Sequence, residues 1–186
     1  MSAGPAAALG LPPPGDELTE PDPEVFWDSA RQFPTGVAVL TADHHLGPHG
    51  TTVSSFAFVS RRPPLISVCL KRPSSFLSLV RSGGEFGVNV LVHEQAVLAR
   101  RFATPGRSPG ATQFEGVPYA AGDASGAPLL DGSAAWLECR VDRVLAAGDH
   151  DLVLARVLFA RRAAASTQCS PLVYHAGRFA TTQTQE

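Results

Sequence analysis

The feature that most restricts what this chain can fold into is a series of short, β-branched apolar runs, each closed off by Gly or Pro. GVAVLTA (36–42), LISVCL (65–70) and EFGVNVL (85–91) are of this kind, and runs so bounded read as buried strands. Two longer apolar runs, 133–146 and 151–160, are joined by Ala147-Gly148-Asp149-His150, which reads as a hairpin with His150 at its turn. A hydroxyl-rich strand is expected at 50–56 and a last edge strand at 172–174. Helix signals are few. Asp22-Pro23-Glu24 supplies an N-cap, a proline at the first helical position and an early acid ahead of Val25, Phe26 and Ala30; that helix should stop before Phe33-Pro34. Ser74 or Ser75 can cap a helix carrying Phe76, Leu79 and Val80 that ends near Gly83-Gly84. HEQAVLARRFA (93–103) has helical spacing up to Pro105-Gly106. About six strands, two or three short helices and no strand–helix alternation argue against a doubly wound sheet. They predict a mainly β fold, an antiparallel barrel closed or nearly so.

The rest of the chain sets limits on this picture. Its 186 residues, 44% hydrophobic and 17% charged, suit one globular domain with an adequate core. Residues 1–21, with Pro12-Pro13-Pro14-Gly15 and few large apolar groups, read as a loose arm ahead of a domain spanning 22–182. The arm has no basic region and no apolar run suited to a signal peptide or membrane span. The 104–132 stretch, rich in Gly, Pro and Ala, is expected to be a surface excursion anchored at Phe114, Val117 and Tyr119, and loops of that length often carry function. A net charge of −2 with scattered basic residues argues against a nucleic-acid partner. Cys69, Cys139 and Cys169 form no CxxC pair and suit a reducing cytoplasm.

Few motifs carry chemistry by themselves. Gly-x-Ser-x-Gly is absent and the serines lack an elbow setting, so hydrolase chemistry is unsupported. His44, His45 and His49 lie close in sequence at what reads as a solvated hairpin tip, and no metal site is assigned. GxGxxG and GxxxxGK[ST] are also absent, so a phosphate must be held in another way. Thr51-Thr52-Val53-Ser54-Ser55 can aim neutral donors at an anion, and Lys71-Arg72-Pro73-Ser74-Ser75 places a cation at a capped helix start. Both have plain structural alternatives, since hydroxyls satisfy themselves across a ladder and serines cap helices. Asn89 inside an apolar strand is either a satisfied core amide or one that faces a ligand. Flanked by Asp149 and Asp151, His150 also suits a solvated loop, and Trp27 and Trp136 suit core or interface.

Seven segments in order resemble the flavin reductase-like domain family of short-chain NAD(P)H:flavin oxidoreductases, which have an FMN-binding split barrel of Greek-key type. They are FPTGVAVLTA (33–42), GTTVSSFAFVS (50–60), PPLISVCLKRPSS (63–75), SGGEFGVNVL (82–91), GAPLLDGSAAWLEC (126–139), GDHDLVLARV (148–157) and PLVYHAGRF (171–179). The resemblance implies that Thr35 and Thr51, Thr52, Val53, Ser54 and Ser55 line the flavin ring and ribityl chain. It implies that Lys71, Ser74 and Ser75 lie near the phosphate, and that Cys69 and Leu70 present backbone near the ring. Asn89 would lie at the edge of the flavin site, with Tyr174 and Arg178 closing it. His150 would sit at the nicotinamide as the catalytic residue. No residue is carried over from 104–119.

The same resemblance implies FAD or FMN as the flavin, a homodimer, and a partner flavin-dependent monooxygenase in aromatic or antibiotic metabolism that receives reduced flavin by diffusion. No extra basic residue beside His150 marks a pocket for a 2′-phosphate, which favours NADH over NADPH. Two other readings stay open: a split-barrel protein that holds flavin without reducing it, and an oxidase of the same fold with tightly bound flavin, for which 104–132 would be a lid.

Overall fold

The computed structural model describes residues 20–45, 47–81, 84–106, 110–164 and 170–182; Cys169 lies outside them. The described residues fall into two compact units that meet in sequence between Phe33 and Pro34. The first contains helix α1 (Pro23–Ala30), whose Asp22 carboxylate accepts hydrogen bonds from the N–H groups of Glu24 at 2.8 Å and Val25 at 3.4 Å. This is the N-cap that the sequence predicts, with proline at the first helical position.

The second unit is built on strands β1 (Thr35–Gly36), β2 (Ala38–Ala42), β3 (His49–Val53), β4 (Ala57–Arg61), β5 (Pro64–Lys71), β6 (Glu85–Val90), β7 (Tyr119–Ala121), β8 (Pro128–Leu130), β9 (Ala135–Ala147), β10 (His150–Arg162), β11 (Leu172–His175) and β12 (Arg178–Thr181), with helices α2 (Ser75–Val80) and α3 (Ala96–Ala103). Seven strands form one sheet in the order β3-β2-β6-β9-β10-β5-β4, beside a β1-β11-β12 sheet and the β7–β8 pair. Every ladder among the described residues is antiparallel. After β3 the chain passes to the far side of the large sheet as β4. There Ser55 Oγ accepts from the Cys69 N–H at 3.1 Å and donates to the Cys69 carbonyl at 3.0 Å. This side chain fastens the seam that no ladder closes.

The continuous apolar run of β2 follows from its position. Ala38, Leu40 and Ala42 face the barrel interior with Ile66, Val68, Phe76, Phe86, Leu137 and Val153. Val37 and Val39 face the other way, into a second core with Leu91, Phe102, Phe114, Leu130 and Leu172. A strand buried on both faces has no reason to alternate.

Four segments differ from the sequence reading. The 172–174 strand is neither the last nor an edge, since β11 lies between β1 and β12. The 104–132 excursion carries a strand pair of its own, and Ala127 and Leu130 in it are fully buried. Buried side chains elsewhere hold it down: Glu138 Oε2 accepts from the Ala124 N–H at 2.8 Å and the Ser125 N–H at 2.7 Å, and Asn89 Oδ1 accepts from the Leu130 N–H at 2.7 Å. His49 is not at a solvated tip. It is buried in β3, with Nδ1 at 2.9 Å from Gln113 Nε2 and Nε2 at 3.3 Å from Ser75 Oγ. Finally, His150 opens β10 rather than the turn, which is made by Gly148 at φ 60° and Asp149. Among the described residues no helix is long and apolar enough to cross a membrane.

Candidate active site

Two groups of residues from the sequence reading come together, joined by the end of β3. The first surrounds the β11–β12 hairpin. Thr35 pairs across the ladder with Tyr174; its Oγ1 is buried and has no hydrogen-bond partner among the described residues. A cavity of about 230 Å³ is lined by Val37, Thr52, Val53, Ser54, Tyr174 and Phe179. A larger one of about 620 Å³ shares Tyr174, Phe179 and Ala103 and extends to Arg100 and Arg178. Together they make one groove with an apolar floor and polar ends. Arg100 stands over the Phe179 ring, its Cζ 5.3 Å from the centroid, and Tyr174 meets the same ring edge-on at 5.6 Å.

The second group gathers where β5 meets the β9–β10 turn. Lys71 lies directly across the ladder from His150, and His150 Nδ1 is 2.7 Å from Asp149 Oδ1. That hydrogen bond holds the Asp149 carboxyl below its ordinary value, so the pair offers an ionised acceptor beside a half-buried imidazole. Cys69 is half-buried, and its backbone is engaged by Ser55. Ser54 lies in the Tyr174 groove and Ser55 on Cys69, so two adjacent residues connect the groups.

Several expected ligand-facing side chains are used within the chain. Asn89 is fully buried, its Nδ2 donating to the Val39 carbonyl at 3.0 Å and to Thr41 Oγ1 at 3.1 Å while Oδ1 takes the Leu130 N–H. Leu70 is in the interior core. Thr52 Oγ1 donates to the Ala99 carbonyl at 2.8 Å, Ser74 Oγ accepts from the Leu77 N–H at 3.0 Å as the α2 cap, and Ser75 contacts His49. Half-buried Thr51 lies across from Leu40. Ser74 also lines a cavity of about 470 Å³ with Arg72, Ser78, Arg81 and Asp149.

Sequence reasoning did not single out Arg100 and Phe179, which the fold brings together from distant segments. It also passed over Asp151, fully buried between Arg72 and Arg81. A charged residue inside an apolar strand run was the available signal. Buried Cys139 has its thiol pushed up to about 12 by burial and by neighbouring Glu138, and plays no part in this chemistry. Among the described residues no group of three His, Cys, Asp or Glu side chains converges on a metal position.

Residues 30–183 match the family model described as flavin reductase like domain. The chain belongs to this family. Within it, the chain is 37% identical to an NADH-dependent FAD reductase of Streptomyces globisporus over 171 residues, 89% of this chain and 90% of the relative. It is 40% identical to an NADPH-flavin oxidoreductase of Streptomyces viridifaciens over 132 residues, 70% of this chain and 68% of the relative. Among solved members, the flavin reductase component of a bacterial two-component tryptophan halogenase superposes with a TM-score of 0.80 at 36% identity, covering 88% of this chain and all of that one. The NADH:FAD oxidoreductase of Streptomyces globisporus C-1027 superposes with a TM-score of 0.81 at 34% identity, over 92% of this chain and all of that one. The latter protein has also been solved with NAD and FAD fragments. The antiparallel split barrel is therefore the family fold.

Proposed function

We propose that this flavin reductase transfers hydride from NADH to FAD or FMN and releases the reduced flavin by diffusion to a partner flavin-dependent monooxygenase. NAD(P)H:flavin oxidoreduction is the activity of its family. The setting in aromatic or antibiotic metabolism, a homodimeric assembly and a cytoplasmic location complete the reading. The observation that carries the site assignment is the groove at Tyr174, whose apolar floor of Val37, Val53 and Phe179 runs from Ser54 at one end to Arg100 and Arg178 at the other. An apolar floor with polar groups at its ends suits a planar ring with polar edges, so the residues present fit a flavin, and the buried, unpartnered Thr35 hydroxyl lies in the strand beside Tyr174.

The bound flavin and nicotinamide supply the redox chemistry, hydride passing from the nicotinamide C4 to the flavin N5. What the chain contributes is position. Val37, Val53 and Phe179 offer apolar contact, while Thr35 and the polypeptide from Thr51 to Ser55 offer neutral donors to the ring edge and ribityl chain. Lys71, Ser74 and Ser75 lie on the phosphate side. Tyr174 and Arg178 close the groove, Cys69 and Leu70 act through their backbone, and Asn89 acts indirectly by fixing β2 against β8. His150, oriented by Asp149, borders the nicotinamide as the catalytic residue.

The preference for NADH rests on the relative matched over nine-tenths of its length. The sequence argument for it does not survive, because Lys71 is the cross-strand neighbour of His150 and supplies the cation that the linear sequence lacks there.

The test is loss of NADH absorbance on mixing the protein with NADH and added FAD or FMN, with NADPH alongside. Rapid oxidation dependent on added flavin is expected. Bound flavin with no oxidation would replace this reading with that of a flavin-holding protein.

A further inference from the structure

The turn that carries His150 is held by one residue. Ala147 and His150 are partners across the β9–β10 ladder, so Gly148 and Asp149 alone make the turn, with Gly148 in the left-handed region at φ 60° that short hairpin turns favour. Both carbonyls of the turn are taken by Arg72, the first residue beyond β5. Its Nη2 donates to the Gly148 oxygen, and its backbone N–H donates to the Asp149 oxygen at 2.9 Å.

Arg72 is itself held from inside. Asp151, the residue after His150, has no exposed surface and places Oδ1 at 3.2 Å from Arg72 Nε and Oδ2 at 3.2 Å from Arg81 Nη2. Both contacts are ionic, with no aligned hydrogen bond. Alternation along β10 buries the Asp151 side chain and leaves that of His150 31% exposed. One guanidinium therefore ties the barrel interior to the turn. Well-packed apolar residues in these places would serve stability as well, but they would leave the Gly148 carbonyl unheld.

We propose that Arg72, anchored by Asp151 and Arg81, is a positioning residue for hydride transfer: it fixes the Gly148–Asp149 turn and so sets where the His150 ring stands. This rests on the proposed placement of His150 at the nicotinamide, and it assigns the cluster to NADH rather than to flavin. Asp149, whose Oδ1 is 2.7 Å from His150 Nδ1, moves with the same turn. Misplacement of a contacting group by about 1 Å is enough to cost up to about 100-fold in rate.

The test removes the cluster without leaving a buried charge alone, by Arg72→Met together with Asp151→Leu. A second variant, Arg72→Lys, keeps a cation for Asp151 but gives up the fork that spans Asp151 and Gly148; it carries the same measurements if the first does not fold. Amide exchange at position 72, whose N–H the Asp149 carbonyl accepts, reports the turn without turnover and should quicken about tenfold. KM for NADH should rise about fivefold, no more than in His150→Ala, with KM for flavin within about twofold. Set in a His150→Ala background, the same substitutions should cost nothing further for NADH, the mark of a residue that acts through His150. Unchanged exchange with unchanged KM overturns the proposal. So does an equal loss for flavin and NADH, or a loss for NADH that persists in the His150→Ala background. Wild-type NADH kinetics in His150→Ala alone would remove the nicotinamide placement and the proposal with it, an outcome read from that single variant and so distinct from failure of the clamp.

Discussion

Glu138 shows how one buried side chain organises a distant loop. Its Oε2 takes three donors, the Ala124 and Ser125 N–H groups and Ser125 Oγ at 2.8 Å, at a site that is 1% exposed. Glu138→Ala leaves those donors buried or half-buried without an acceptor, so a loss of about 2–4 kcal/mol is expected, read from urea unfolding. Gly122→Ala should give a loss of similar size, because a Cβ there would overlap the Glu138 carboxylate. A different outcome is expected at His150, which makes no contact that the barrel depends on. His150→Ala should raise KM for NADH about tenfold while leaving flavin affinity within about twofold, the pattern of a lost binding contact. Equal losses in both would remove it from the nicotinamide. The Asp149 carboxylate that orients it has a depressed pKa in the folded protein, so that contact contributes at neutral pH and is lost only as the pH falls through the lowered value.

At the scale of elements, local signals were legible where local chemistry decides. Asp22-Pro23 and Ser74 mark their helix starts, and Gly148 marks the β9–β10 hairpin. Elements made by distant partners were not legible. β7 and β8 have weak strand character, and β8 is held in place by Asn89 on β6; β12 follows a turn at Ala176 and Gly177 with positive φ. The site divides in the same way: the hydroxyl run, Lys71 and His150 could each be singled out in sequence, whereas the facing of Lys71 and His150 and the Arg72–Asp151–Arg81 cluster exist only once β5, α2 and β10 meet. The β3–β5 seam is another product of tertiary structure. Ser55→Ala removes both the donor and the acceptor that join its edges, and a cost of about 1–2 kcal/mol is expected, with faster amide exchange at Cys69. Unchanged exchange there would mean that the connection from β3 to β4 closes the barrel unaided.

For the whole molecule, the exposed apolar surface bears on assembly. Leu145, 51% exposed, and Phe159, 45% exposed, lie on strands β9 and β10 on the face opposite interior residues such as Val144 and Val153, while Phe58 stands 72% exposed on edge strand β4. Side chains of this size shown to water on the adjacent strands β9 and β10 invite a covering surface. The proposed homodimer covers such a face with a second copy. Sedimentation should therefore give about twice the 19.5 kDa of one chain. Phe159→Glu places a charge on that outward face without entering either core, so it should shift the protein to monomer with its thermal unfolding little changed. A monomeric wild type would remove the homodimer. A dimer that survives both Phe159→Glu and Leu145→Glu would place its interface elsewhere on the barrel.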